Sequence, residues 1–493
     1  MSDARFLTRL RDAVGAQAVL TSDEAIAPWL SDWRGLYQGR AQAVLRPQRI
    51  EQVQACLALC QEFRVPVIPR GGNTGLCGGA TPDASPDNVV LSLDRMNRIR
   101  SLNTTANTLV AEAGCVLADL QDAAADAGRL LPLSLAAEGT CQLGGNLATN
   151  AGGVNVLRYG MARDLVLGIE AVLPGGEVFH GLRTLRKDNT GYDLKQLLIG
   201  SEGTLGVMTA AALRLFPPVL HRTVVIAAVE SPQHALQLYA LLFARCGASM
   251  QAFEYFTGEC VDLVVDQVPG IRPPFSTRHP GYVLVELSGA DEAAEFALPF
   301  ENTIGAALER GICLDALVSA SLEQLRQMWR LREDISEALR ADGPHLKHDI
   351  SLPIENIPEF IDRAGARVRA VDMALRLYVF GHFGDGNLHV NLARPCGAPE
   401  DYFAAQGARL SSELLDEVDR HGGSISAEHG IGQLKRDAFE KYKSPLELKL
   451  MWKIKQVFDP MGIMNPGKLL ESRRSFDAPA AGSTAPDSPR NNR

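Results

Sequence analysis

This sequence predicts an α+β fold with a glycine-rich first part, a second sheet-based part and a helical C-terminal segment, and three observations carry that prediction. The chain of 493 residues is long enough for two or three domains at roughly 100–200 residues each. Short apolar runs alternate with amphipathic stretches and glycine turns as far as residue 217. From His221 a new series of strand, helix and strand begins.

Residues 1–40 read as an N-terminal helical segment. In 41–217, Ile50, Val53, Cys56, Leu57 and Cys60 share one helix face, Arg64 closes that helix, and the apolar run Val65–Ile68 follows as a strand. Further strands are expected at Asn88–Leu93, Thr108–Ala113, Leu165–Leu173 and, past the turn Pro174-Gly175-Gly176, Glu177–His180. Val116–Leu130 reads as an amphipathic helix. In 218–440 the pattern gives strands at Thr223–Val229 and Tyr282–Leu287 and helices at Pro232–Cys246 and Leu322–Ala341. Residues 441–473 hold a helix at Pro445–Phe458 and a polar, proline-bearing loop at Asp459–Lys468. The tail 474–493 is rich in Pro, Ala, Ser and Asn and is expected to be disordered.

Hydrophobic residues make up 46% of the chain and charged residues 22%, an ordinary balance for a protein with sizeable cores. A formal charge of −9 excludes a general polyanion binder, because such proteins need a basic field to release counterions from phosphates. Nucleic acid and acidic membranes are therefore not expected partners. The nine cysteines are odd in number and form no CxxC pair, which points to a reducing compartment. The opening residues carry acidic side chains and no continuous apolar run, so neither a signal peptide nor a transmembrane segment is expected there. The expected location is the cytoplasm.

Five glycines fall in the nine residues from Gly71 to Gly79, directly after a predicted strand. Residues without Cβ let backbone N–H groups converge on an anion, so the loop suits a pyrophosphate. No Gly-Lys-Ser/Thr follows, and the GxGxxG spacing of a Rossmann fingerprint is absent. Alone, the loop reads equally well as a surface glycine turn. A second segment, Gly139–Gly153, has the small and amide residues that let backbone lie flat on a large planar ligand. A third, Lys187–Asp193 with Gly200–Gly206, leaves room for a ring system and its chain.

Farther on, an apolar strand ends at His382, a Gly384-Asp385-Gly386 turn follows, and the next strand alternates so that His389 and Asn391 share a face. About forty residues later Glu428 and His429 stand between small residues. His382, His389 and Glu428 make a two-histidine, one-carboxylate set able to hold a metal with positions open to substrate. Any one of these histidines alone reads more readily as structural. Their joint occurrence reverses that judgement.

The three glycine-rich segments, in this order and spacing, resemble the FAD-binding domain of the vanillyl-alcohol-oxidase family. With the intact motifs His-x-Gly-Asp-Gly-Asn-x-His and Glu-His-Gly-x-Gly, the chain resembles that family's branch of D-2-hydroxy acid dehydrogenases from about Arg46 to Lys468. The resemblance implies a two-subdomain FAD-binding domain at 41–217, a substrate- and metal-binding cap at 218–440, and a C-terminal segment, 441–473, returning to the FAD site. It assigns to the cofactor Pro69, Arg70, Gly71, Gly72, Asn73, Thr74, Gly75, Gly78 and Gly79 in the first segment. In and after the second it assigns Glu138, Gly139, Thr140, Gly144, Gly145, Asn146, Thr149, Asn150, Gly152, Gly153, Tyr159 and Gly160, and beyond these Glu202, Gly203, Gly206, Val207 and Asn465. Some members attach FAD through a histidine of the first loop; Asn73 in that loop implies non-covalent FAD.

The resemblance further implies His382, His389 and Glu428 as ligands of a divalent metal, with zinc expected and manganese, cobalt or iron left open by the donor types. His429 is implied as the base. A dicarboxylate substrate needs fixed cations, and charge alone does not choose among Arg326, Arg330, Arg332 and Arg340. The resemblance chooses Arg332 and Ser336, with Lys347 and Asn391; the family position at Ser336 is often threonine. The implied reaction is oxidation of D-2-hydroxyglutarate, with D-malate a further acid, by a homodimer that passes electrons to an electron-transfer flavoprotein or quinone carrier. The alternatives are a D-lactate or glycolate dehydrogenase and a flavin-binding subunit without turnover.

Overall fold

The computed structural model describes residues 2–289, 293–399 and 401–471, so the tail expected at 474–493 lies outside the described residues. Among the described residues sixteen strands, numbered in chain order, form three sheets. The first is β1 (Val19–Leu20), β2 (Ala43–Leu45), β3 (Val67–Arg70) and β4 (Val89–Ser92), in the order β1-β2-β4-β3 with parallel pairing of β2 and β3 to β4. Parallel strands are covered on both faces, which is why their cores run Val44, Ile68 and Val90 without polar alternation. The helix Ile50–Phe63 makes the crossover and ends at Arg64, whose left-handed conformation (φ 56°) closes it as expected. The following strand starts at Val67 rather than Val65, because Val67 pairs with Val89 and Met464.

The second sheet is antiparallel: β5 (Ile99–Asn103), β6 (Thr108–Glu112), β7 (Val166–Val172), β8 (Val178–Gly181) and β9 (Val207–Arg214), in the order β5-β6-β9-β7-β8. The helix expected at Val116–Leu130 stops at Asp126, since Gly128 turns the chain (φ 66°) and Leu130 pairs with Phe216.

The third sheet carries Lys347, His389 and Asn391, three of the residues expected at the site. It comprises β10 (His221–Val229), β11 (Met250–Thr257), β12 (Gly281–Gly289), β13 (Asp315–Val318), β14 (His345–Ser351), β15 (Arg376–Gly381) and β16 (Asn387–Ala393), all antiparallel, in the order β13-β10-β12-β11-β15-β16-β14. Period-2 alternation sorts its side chains. Phe253, Val379 and Val390 face helices Pro232–Cys246, Ala293–Glu309 and Ile357–Val371, whose Phe300 and Phe360 are fully buried there. Glu254, Phe380, His389 and Asn391 occupy the other face. Part of that face is covered by helices Leu322–Glu333 and Ile335–Asp342, which replace the single helix expected at Leu322–Ala341. The break at Asp334 lets Leu325, Trp329, Ile335 and Leu339 all reach the same core. Among the described residues no helix is long and apolar enough to cross a membrane.

The helix Pro445–Phe458 leads the chain back to the first sheet. Buried Lys455 donates to Asp459 Oδ2 at 2.6 Å and to the carbonyls of Thr204 (2.6 Å) and Met464 (2.8 Å), while Asp459 accepts the N–H groups of Ile463 and Met464. A buried carboxylate stripped of its cation is costly, so Lys455→Ala should destabilise the flavin-loaded protein by roughly 3–5 kcal/mol. Equilibrium denaturation reads this directly, and a loss below about 1 kcal/mol would show the ammonium to be dispensable.

Candidate active site

A cavity of about 940 Å³ lies between the glycine segments and the functional face of the third sheet, a size suited to a large ligand. Of the residues expected at the cofactor, Pro69 to Gly75, Gly79, Glu138, Gly144, Gly145, Asn146, Thr149, Gly152, Gly153, Glu202, Gly203, Gly206 and Val207 line it. Several of these glycines are sterically required: a Cβ at Gly72 would meet the Thr140 carbonyl at 2.1 Å, and one at Gly153 the Ser134 carbonyl at 1.9 Å. The wall is thus thin, smooth backbone, which fits a flavin nucleotide.

The other expected residues stand behind or away from the wall. Gly78 packs under the Tyr37 ring and Thr140 behind Gly72. Gly139 is exposed, and Tyr159 stacks edge-on against Phe216 with Gly160 beside Asp164. Asn150 (φ 49°) accepts the Arg163 N–H, and Asn465 braces the wall by donating to the carbonyls of Gly79 and Glu202. Lys187–Asp193, expected beside the flavin, is exposed and contributes nothing to the cavity. Its polar character reflects solvent.

The opposite wall carries His382, His389, Asn391, Arg332, Ser336, Lys347, Glu428 and His429, so every expected catalytic, metal and substrate residue meets in one place. One donor atom from each of His382, His389 and Glu428 lies within 4.8 Å of the others, a fit for a small divalent ion. His382 Nδ1 stands 2.6 Å from Glu254 Oε1, which leaves Nε2, 4.0 Å from Glu428 Oε2, free to ligate. Glu254 Oε2 accepts from Arg332 Nε at 2.7 Å, and the Arg332 guanidinium lies 4.9 Å over the Phe380 ring. Burial acts to raise the Glu254 carboxyl, but His382 and Arg332 hold it down at about 2. Burial likewise opposes His382, yet Glu254 lifts it to about 9.

The loop bearing Glu428 and His429 is held from two sides. Asp349 Oδ2 accepts the N–H groups of Ala427, Glu428 and His429 at 3.0–3.2 Å, and Glu202 accepts those of Ile431 (2.8 Å) and Gly432 (2.7 Å). Gly430 and Gly432 take positive φ, and a Cβ at Gly432 would strike the Cys77 carbonyl at 2.2 Å. Asp349 also lies 3.6 Å from His429 Nδ1 and 3.8 Å from His389 Nδ1. The sequence reading missed both Glu254 and Asp349 as site residues. For Glu254 the signal was a carboxylate inside a largely apolar strand, Phe253-Glu254-Tyr255; Asp349, in the polar strand His345–Ser351, gave none.

Comparison with known proteins gives the family and the fold. The FAD binding domain family matches residues 41–181, and the FAD linked oxidases, C-terminal domain family matches residues 220–469. The solved structure of p-cresol methylhydroxylase with substrate bound superposes with a TM-score of 0.73, covering 95% of this chain and 97% of that one at 15% identity, a likeness of fold alone. Cavity, sheets and matches define an FAD-dependent dehydrogenase with the vanillyl-alcohol-oxidase type of fold. D-2-hydroxyglutarate dehydrogenase of Xanthomonas citri pv. viticola is 38% identical over 97% of this chain and 99% of its own, and the mitochondrial D-2-hydroxyglutarate dehydrogenase of Arabidopsis thaliana is 36% identical over 95% and 82%. The chain belongs to the D-2-hydroxyglutarate dehydrogenase family.

His429 sits below the ordinary histidine range because burial disfavours its cation; Asp349 opposes this and Lys435 reinforces it. The imidazole is therefore neutral at pH 7 and loses that neutrality only as pH falls through its lowered pKa. Removing the Lys435 charge in Lys435→Met should move its titration to higher pH, and Asp349→Asn should move it lower. NMR of labelled histidine checks the two directions, and midpoints that stay put in both variants would show these charges to be uncoupled from the ring.

Proposed function

We propose that this protein oxidises D-2-hydroxyglutarate to 2-oxoglutarate, accepts D-malate as a further substrate, and uses a divalent metal, zinc by donor type, at His382, His389 and Glu428. The observation that supports it most is the convergence of a neutral, half-buried imidazole, a two-histidine, one-carboxylate set and cationic side chains on one end of a backbone-walled cavity. The names of the relatives supply the acid. Bound FAD supplies the hydride acceptor, and a bound divalent ion supplies Lewis acidity toward the α-hydroxyl.

The protein's residues do the rest. His429 Nδ1 faces Asp349, so Nε2 is the atom that takes the hydroxyl proton as the α-hydrogen leaves with its electron pair. Asp349 steadies the resulting cation. Arg332, Asn391 and Ser336 orient the acid, and Lys347 adds a second positive site. Turnover requires an outside oxidant, for which we keep the electron-transfer flavoprotein or quinone class. Non-covalent FAD is supported by Asn73, whose amide donates to the Ser31 carbonyl and presents no nucleophile.

Anaerobic mixing with D-2-hydroxyglutarate should bleach the flavin absorbance, with D-malate slower and D-lactate and glycolate slower still. Preference for D-lactate would move the protein to the monocarboxylate branch, and no bleaching by any acid would make it a flavin-binding subunit. His429→Ala should lower kcat by roughly 10²–10⁴-fold with a smaller effect on substrate affinity. Chelation should abolish turnover while FAD stays bound; full activity in verified metal-free protein would sink the metal.

A further inference from the structure

A carboxylate is buried where the third sheet meets the helix Leu322–Glu333. On β11, Phe253 and Tyr255 turn to the core behind the sheet, while Ala252 and Phe256 pack beneath that helix with Leu325 and Trp329. Alternation puts Glu254 on the helix side. The neighbouring strand is β15, where Gly381 pairs with Tyr255, so the chain leaves β15 at His382 beside Glu254. Glu254 is 1% exposed, and Arg332 and His382 are buried with it.

Each oxygen of this carboxylate has a partner from a different element. Oε1 lies 2.6 Å from His382 Nδ1, and Oε2 accepts from Arg332 Nε at 2.7 Å. His389, the other histidine of the metal-type set, lacks such a tie: its Nδ1 stands 3.8 Å from Asp349 Oδ1, beyond hydrogen-bond reach. His382 is thus the ring of the pair whose rotation a direct bond fixes. A histidine that donates one ring N–H to a carboxylate presents its other nitrogen as a basic lone pair in a set direction. Here that nitrogen, Nε2, is 4.0 Å from Glu428 Oε2.

The same negative charge is shared with a guanidinium. The part of it that Arg332 offsets is lost to His382 and to any cation held beyond the ring, because charges are weakly screened among buried groups. Arg332 also lines the cavity. An acid carboxylate arriving there offsets the guanidinium and returns the Glu254 charge to the His382 side, so that by linkage acid and metal each tighten the other.

We propose that Glu254 is a positioning residue that fixes His382 for the metal and makes metal affinity answer to the charge of Arg332. This rests on His382, His389 and Glu428 being a metal site. The test is zinc uptake by FAD-loaded, substrate-free enzyme in equilibrium dialysis against chelator-buffered zinc, with bound metal counted by elemental analysis and retained FAD by absorbance. Glu254→Gln should weaken zinc roughly 10- to 100-fold, because the amide oxygen serves at most one of the two donors and the Arg332 charge stays uncompensated. Arg332→Met should act the other way and tighten zinc about 3-fold or more, and the double variant, without either buried charge, should fall between the two. A merely structural Glu254 predicts weakening in both single variants. Unchanged zinc affinity in Glu254→Gln, or a weakening in Arg332→Met equal to that in Glu254→Gln, would overturn the assignment. Where Glu254→Gln alone does not retain FAD, the other two variants decide: zinc bound equally by Arg332→Met and the double variant leaves Glu254 no role. No zinc uptake by the unaltered enzyme, or uptake that survives Glu428→Ala, brings down the metal site itself, so the two failures give different results.

Discussion

Asp349 is an ionised carboxylate buried in the third sheet, and the end of the cavity that carries the histidines is arranged around keeping it there. Stripped of water, such a group costs several kcal/mol unless its lone pairs are filled. They are filled by three successive N–H groups of the Ala427–His429 turn, by the Asn387 amide and by the nearby Lys435 ammonium. The donors and His429 hold the carboxyl well below the usual range even against burial. Because the same carboxylate faces His389 and His429, the fold of the 427–432 turn, the orientation of one metal-type ligand and the electrostatics of the imidazole follow from a single charge.

The other end of that turn is held by the flavin side of the molecule. Glu202, a cavity-wall residue in left-handed conformation, accepts from Ile431 and Gly432, and the Gly153 N–H donates to Glu428. Arg158 adds a bond to the Ser288 carbonyl at 2.7 Å, joining the helix after the second glycine segment to the third sheet. The residues that would handle proton and metal are therefore positioned by the same backbone that walls the nucleotide cavity, and loosening either side loosens both.

Much of this was legible in sequence, for physical reasons that can be named. Helix Ile50–Phe63 showed a clean apolar face, and His389 and Asn391 had to share a side because strands alternate. The Leu322–Ala341 helix misled, since periodicity survives a one-residue break that only the facing core at Leu325 and Ile335 reveals. Lys187–Asp193 misled because small and polar residues suit a ligand and solvent alike. Arg70 was legible as important, but its partners are three carbonyls about forty residues earlier, and backbone acceptors leave no mark in sequence. Glu254 and Asp349 were hidden because a lone acid in a strand gives no sign of which strand will bring its partner.

The pairing of Glu254 with both His382 and Arg332 has a consequence for how the site distributes charge. A dication held by His382, His389 and Glu428 would repel an uncompensated arginine close by, and Glu254 removes that conflict by giving one oxygen to each. The compensated Arg332 can still orient a carboxylate through its remaining N–H groups, but it adds little net attraction for a second one. Selectivity for a longer acid then needs positive charge farther from the donors, where no carboxylate neutralises it. Lys347 meets that condition within the sheet.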